Sequence, residues 1–189
     1  MACVHGLNLI FNMIKIFLYI NALVWLNTKQ QVDYPTPQTP HMLFYIQRNH
    51  NENAIVYDAK FDRQGNLIAD CPVDAYWIRF QENGQRKELR SFEKWMVYGV
   101  SCQKLKHNKY DYRIYLSASK KLKLWLRQTA PFKAEIIVQI KGKKFRLKHM
   151  FATADESGWL PKVLYGEIYG EDLNNNSPVY IKVFPKDIK

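Results

Sequence analysis

Three cysteines in 189 residues are too few for a disulfide scaffold or a four-cysteine zinc site. Eight glycines and eight prolines exclude a collagen-like or low-complexity chain. Acidic residues are scarce. None occurs before Asp33, and 17 stand against 28 basic residues, a formal net charge of +11. That imbalance suggests an anionic neighbour without naming one. No uninterrupted apolar run reaches the 20 or so residues of a membrane span. The stretch 7–26 has that length only by including Asn8, Asn12, Lys15 and Asn21. What remains is ordinary globular material, 47% hydrophobic and 24% charged, enough for one domain and an extra segment.

The extra segment is N-terminal. Residues 16–26 read IFLYINALVWL, apolar but for Asn21, and Lys15 stands just before them. A basic residue followed by about 7–15 apolar ones has the form of a secretory signal. Begun at Met13, the chain opens Met-Ile-Lys and the fit improves. No small-x-small cleavage site follows, so residues 1–26 read as a signal or, uncleaved, as a membrane anchor. Residues 27–41 carry Pro35, Pro37 and Pro40, which forbid a helix and favour an extended linker. A single β-rich domain is expected over 42–189.

The period of that domain is two. Leu122, Leu124 and Leu126 alternate with Lys121, Lys123 and Arg127. Tyr110, Tyr112, Ile114 and Leu116 oppose Asp111 and Arg113. Phe145, Leu147, His149 and Phe151 oppose Lys144, Arg146 and Lys148. Each pattern reads as a strand with one buried face. The runs 43–47, 54–61, 73–80, 134–140, 162–169 and 179–184 are apolar on both faces, so Trp77 is expected to be buried. Asn83-Gly84 and Lys141-Gly142 are hairpin signals. One helix is expected around Phe92, Trp95 and Met96, ended by Gly99 as its cap. Ser91 has Lys94 three positions on, so no capping box is expected there. The fold class is therefore all-β, an antiparallel sandwich or barrel of about nine or ten strands with one short helix. An N-terminal signal or anchor helix precedes it.

Certain landmarks recur in a fixed order. Phe44-Tyr45-Ile46-Gln47-Arg48 is followed by Asn51, Asn53 and Val56-Tyr57. Cys71-Pro72-Val73, Tyr76-Trp77-Ile78 and Tyr98-Gly99-Val100 come next. Lys141-Gly142-Lys143 and Gly166-Glu167-Ile168-Tyr169-Gly170 close the series. This order resembles the bacterial family called domain of unknown function 4833, over about 42–185. The resemblance implies an exported or envelope location and a single β-rich domain. It implies no catalytic residue, cofactor or substrate.

Chemistry is sparse. His5, His41, His50, His107 and His149 show no metal-ligand spacing, and no metal or cofactor is expected. His149 falls on the apolar face of its strand, as a core histidine. No nucleophile signature is present. Arg48, Asn51, Asn53, Tyr57, Tyr76, Trp77 and Tyr98 are candidates for a ligand pocket, combining aromatic walls with polar groups. Turn and strand packing explain the same residues more simply: Asn51 and Asn53 suit a turn, and Tyr and Trp suit strands that bury one edge. Lys121, Lys123, Arg127, Lys144, Arg146 and Lys148 are candidates for a basic face, with Trp125 among them. A solvated strand face is the simplest account of them, and an envelope component or anionic surface is the functional one. Nucleic acid does not suit that face, because an exported protein rarely meets it. Cys71 and Cys102 are an even pair once Cys3 is removed with a signal. The expectation is nevertheless two free, mostly buried thiols, since spacing alone cannot bring two Cα atoms within about 7 Å. The preferred reading is a non-enzymatic exported domain that binds a ligand or partner. A lipocalin-like carrier and a hydrolase with an unrecognised site are the alternatives.

Overall fold

The computed structural model describes residues 34–106, 109–158 and 162–188. The expected signal or anchor segment, Cys3, His5 and His107 lie outside them. Eleven strands form one sheet. Its nine-strand path curls into a half-barrel. The domain is all-β.

The architecture follows from one long strand, β9 (Lys143–Asp155). Along one edge it pairs throughout with β10 (Lys162–Asp172), which carries β11 (Pro178–Val183). Its other edge is shared in succession. β8 (Lys133–Ile140) takes Lys143–Arg146, and β1 (Met42–Arg48) takes His149–Ala152. Two wings therefore diverge from one spine. The first runs from β1 through β2 (Asn51–Ala59) and β3 (Val73–Arg79) to β4 (Gln85–Glu88). The second runs from β8 through β7 (Ser119–Ala130) and β6 (Tyr112–Leu116) to β5 (Val100–Lys104). The pairing of β1 with β9 is parallel, which departs from the antiparallel expectation.

Both wings turn their apolar residues inward. Phe44, Ile55, Tyr57 and Trp77 come from the first, Ile114, Leu124, Leu126, Ile136 and Val138 from the second, Phe145 and Leu147 from the spine, and Ile168 from β10. Phe44 and Tyr57 stack face to face at 4.3 Å. Trp77 is buried as the pattern required. The hairpin signals Asn83-Gly84 and Lys141-Gly142 both fall at turns. Both pairs adopt consecutive positive φ angles: Lys141-Gly142 closes a two-residue hairpin between Ile140 and Lys143, while Asn83-Gly84 ends a five-residue loop between Arg79 and Gln85 that opens with the 3-10 turn Phe80–Glu82.

Several expectations are corrected. The run 162–169 is not buried on both faces. β10 borders the spine and only Ile168 in that run is fully buried, while Val163 and Leu164 are about half exposed. His149 is not on the core face. The register with β10 slips between Tyr169 and Gly170, a bulge that makes Leu147 pair with Gly170 and His149 with Tyr169. A bulge inserts one residue and reverses the facing of all that follows. Met150 consequently points inward with Ile168, and His149 lies outside between the rings of Tyr45 at 4.2 Å and Tyr169 at 5.3 Å. Gly170 opposes the bulge because a Cβ there would meet the Arg146 carbonyl at 2.1 Å.

The expected helix is a single turn, α1 (Ser91–Glu93), continued by a wider π-wound turn over Lys94–Tyr98. Its box closes one residue earlier than Ser91, where the Glu93 carboxylate accepts the Arg90 N–H at 2.7 Å. Gly99 is extended, with φ −65°, and is no left-handed cap. It is needed for a different reason. A Cβ at Gly99 would lie 1.8 Å from the Lys94 carbonyl oxygen.

Residues Pro35–Lys189 form one compact unit. The end of the expected linker is docked on it. Pro37 is buried, the Pro35 carbonyl accepts Gln47 Nε2 at 2.8 Å, and Thr39 donates to Asp58 at 2.6 Å.

Candidate functional site

The free ends of the two wings face each other across a seam. Beyond Tyr76, β3 is covered by β4, but its first part, Val73–Ala75, has no ladder partner on that side. β5 pairs only with β6, so its other edge is also open. Among the described residues no strand ladder joins β3 to β5. The seam is fastened instead by side chains. The Cys71–Cys102 disulfide joins the wings with Cα atoms 5.1 Å apart, which corrects the expectation of free thiols. The loop 61–70 lies against the second wing, and its Ile68 and Ala69 carbonyls accept the Tyr112 hydroxyl at 3.0 Å. At the other end Tyr57 donates to the Tyr98 carbonyl at 2.9 Å, and Trp77 meets Tyr98 edge-on at 5.4 Å.

Between these fastenings lies an open cleft of about 340 Å³. That volume suits a small ligand. Its walls carry Lys60, Lys94 and Lys120, the hydroxyls of Ser101, Tyr115 and Ser117, and one carboxylate, Asp74. Asp74 is already engaged by Arg86 at 2.7 Å, and Lys94 lies 3.8 Å from Glu88. Lys60 and Lys120 have no carboxylate partner among the described residues. Tyr115 donates to Gln103 at 3.0 Å and Ser117 to the Lys94 carbonyl at 2.8 Å, so the cleft holds uncompensated positive charge beside the Ser101 hydroxyl, with Cys71 of the disulfide in its wall. No cluster of three or more metal-ligating side chains occurs among the described residues.

A family model described as a domain of unknown function, DUF4833, matches residues 44–182. The chain belongs to the DUF4833 family. No curated protein and no solved structure matches it.

The structure of this DUF4833 domain brings Tyr57, Trp77 and Tyr98 into contact, with the Arg48 charge near enough to act on the Tyr98 hydroxyl, and leaves Tyr76 on the opposite face of its strand. Tyr57, Trp77 and Tyr98 meet at the seam, but they fill the core and do not line the cleft. Burial, with Tyr98 adding to it, pushes the Tyr57 hydroxyl far above its ordinary range. Trp77 Nε1 donates to Glu93 at 3.3 Å. These contacts hold the π-wound turn in place. Tyr76 points to the opposite face of β3. It donates to Asp58 at 2.6 Å under the Arg86 guanidinium, 3.7 Å from its ring centre. Burial first, and then the Asp58 hydrogen bond, raise its pKa. Asn51 accepts the Asn53 N–H at 2.9 Å, a local turn, and Asn53 exchanges hydrogen bonds with Gln81. Arg48 lies 3.7 Å from Glu156.

The basic face is less basic than its residues suggest. Arg127 and Arg146 both bind Glu135, Arg146 at 2.6 Å, and Arg146 and Lys148 bind Glu171 at 2.8 and 3.4 Å. Lys144 sits 4.7 Å above the Trp125 ring. Only Lys121 and Lys123 of the six stand exposed without a carboxylate or a ring partner among the described residues. The lysines that do converge were not visible as a group, because positions 60, 94 and 120 are far apart in sequence. Lys120 belongs to the basic stretch of β7, while Lys60 and Lys94 carry no local signal at all.

Proposed function

We propose that this DUF4833 domain is an exported, non-enzymatic binding module of the cell envelope, with the seam cleft as its site and a small oxyanion as its ligand. The observation that carries this reading is the convergence of Lys60 and Lys120, both without acidic partners among the described residues, on a cleft that also presents the Ser101 hydroxyl. Charge-assisted hydrogen bonds to an oxyanion are roughly twice as strong as neutral ones. Export is supported by Lys15 and the apolar run 16–26. The disulfide supports it too, since such bonds persist in oxidising compartments. The carrier reading is less well served. The space between the wings is occupied by fully buried side chains such as Tyr57, Phe44 and Phe145.

Calorimetric titration with inorganic phosphate and sulfate tests the site. Binding should weaken steeply with added salt, and Lys60→Met with Lys120→Met should abolish it. An undiminished titration in that double variant would remove the cleft from the argument. Fractionation with N-terminal sequencing tests export, which requires a mature start between about residues 27 and 41.

A further inference from the structure

The π-wound turn beside the cleft is an apolar projection. Trp95 is 77% exposed, Phe92 62%, Met96 42% and Val97 38%. Trp95 and Met96 stand three and four residues after Phe92, the spacing of one helical side. These four lie within six consecutive residues, so they form one patch rather than scattered surface residues. The projection is held from behind. Glu93 binds Trp77 Nε1, the Tyr98 carbonyl accepts the buried Tyr57 hydroxyl, and Gly99 passes too close to Lys94 for any side chain. The turn between β6 and β7 grips it as well, through Ser117 Oγ to the Lys94 carbonyl at 2.8 Å and the Ala118 N–H to the Val97 carbonyl at 3.2 Å.

The charge around the tip is mainly basic, with the exposed Glu88 paired to Arg86 and Lys94. Arg90 and Lys94 belong to the segment itself, and Lys120 and Lys121 follow the turn that grips it. Of the nearby carboxylates, Glu93 is turned inward to Arg90 N–H and Trp77, and Glu88 is engaged by Arg86 at 2.9 Å as well as by Lys94. Tryptophan and phenylalanine ringed by lysine and arginine match the boundary between acyl chains and an anionic headgroup layer.

We propose that Phe92, Trp95, Met96 and Val97 insert into the surface of an anionic lipid bilayer, with Arg90, Lys94, Lys120 and Lys121 meeting its headgroups. The tip then holds the mouth of the cleft at the membrane surface. Lys94 and Lys120 also line the cleft, but the apolar tip lies outside it, so changes at Phe92 and Trp95 test the docking separately from the oxyanion reading. Its apolar part sets depth, and its basic part selects anionic lipid.

Co-sedimentation of the full chain with vesicles provides the test. Binding is expected to phosphatidylcholine vesicles containing phosphatidylglycerol, and much less to phosphatidylcholine alone. Phe92→Ser with Trp95→Ser should weaken that binding by about tenfold or more. The replaced side chains are exposed, so the double variant should keep the parent's circular dichroism and melting temperature. Trp95→Phe should remove a vesicle-induced blue shift seen in the parent's tryptophan emission. Lys60→Met, in the cleft, should leave vesicle binding unchanged while it weakens phosphate binding. Retention of full vesicle binding by the double variant would overturn the proposal, and would assign membrane affinity to another part of the chain. A parent that ignores the vesicles, but self-associates through these residues in sedimentation velocity, would overturn it in favour of a second copy of the chain.

Discussion

Cys71, just before β3, and Cys102, within β5, join two wings that share no ladder. Their Cα atoms lie 5.1 Å apart, at the place where the two wings would otherwise end as open edges. An open strand edge invites unwanted pairing with other chains. The bridge and the loop 61–70 hold the two edges facing each other, and the cleft is what remains between them. The stability of the closed form and the shape of the candidate site therefore depend on the same bond.

The disulfide closes a segment of 31 residues. Constraint of the unfolded chain by such a loop corresponds to about 3–4 kcal/mol in the chain-entropy model. Cys71→Ser with Cys102→Ser is expected to lower the urea unfolding free energy by about that amount. Thiol titration of the denatured, non-reduced chain should find Cys3 alone in the full-length form, and no thiol in a form processed after residue 26. Two further reactive thiols would show that the wings are not bridged in solution.

Gly99 gives a second, local test of the seam. A methyl group there collides with the Lys94 carbonyl and approaches Ser117 Oγ at 2.9 Å. Gly99→Ala should cost about 1–3 kcal/mol, because the π-wound turn must shift to admit it. In a domain of this size that is a fall of several degrees in melting temperature, about 2–4 °C per kcal/mol. Gly84→Ala is an instructive contrast. Nothing lies within 4 Å of its missing Cβ, and only its φ of 72° resists the change. If Gly99→Ala melts with the parent, the close approach does not exist.

The legible part of this fold was the part governed by local periodicity. Leu122, Leu124 and Leu126 are buried in alternation as their spacing required, and Trp77 lies in the core. What was hidden depended on partners distant in sequence. One bulge opposite Gly170 turned His149 outward, and no pattern within 144–151 announces it. The helical spacing of Phe92, Trp95 and Met96 was real, but the face it made has no core to cover. The basic residues of β7 and β9 were visible, while their neutralisation by Glu135 and Glu171 required the register of β8 and β10. The cleft was the least legible feature, since Lys60, Lys94 and Lys120 meet only when the wings close.

Glu135 makes that neutralisation measurable. Its side chain is 9% exposed, between Arg127 and Arg146. Burial alone would raise its pKa, but hydrogen bonds and charge from Arg146 and Arg127 outweigh burial and hold it below the ordinary 4.5. A carboxyl depressed by folding stabilises the native state above its unfolded pKa, and this is lost as pH falls through the lower native value. Glu135→Gln should therefore cost about 1–3 kcal/mol at pH 7. The gap between parent and variant should narrow as the pH drops below 4.5, and urea midpoints at pH 7 and pH 3 would reveal it. An equal gap at both would mean that the carboxylate's charge contributes nothing.

His149 predicts an acid sensitivity that begins at higher pH. Its ring lies between Tyr45 and Tyr169, with Phe151 edge-on at 6.3 Å, and its Nε2 has no hydrogen-bond partner. Burial lowers its pKa from 6.5 to about 4. Above pH 6.5 neither the folded nor the unfolded chain protonates the ring, so the shift costs nothing. Between pH 6.5 and about 4 the unfolded chain takes up the proton and the folded chain does not, so stability falls as the pH is lowered. At about 1.4 kcal/mol per pH unit, the loss approaches 3 kcal/mol at the bottom of that window. His149→Phe keeps an aromatic ring between the two tyrosines and removes the proton site. It should match the parent near pH 7 and exceed it in urea resistance at pH 4.5. The parent's His149 resonance should not titrate until the pH is well below 6. A midpoint near 6.5 would mean that the ring is open to water, and the stacked arrangement across β1, β9 and β10 would be wrong.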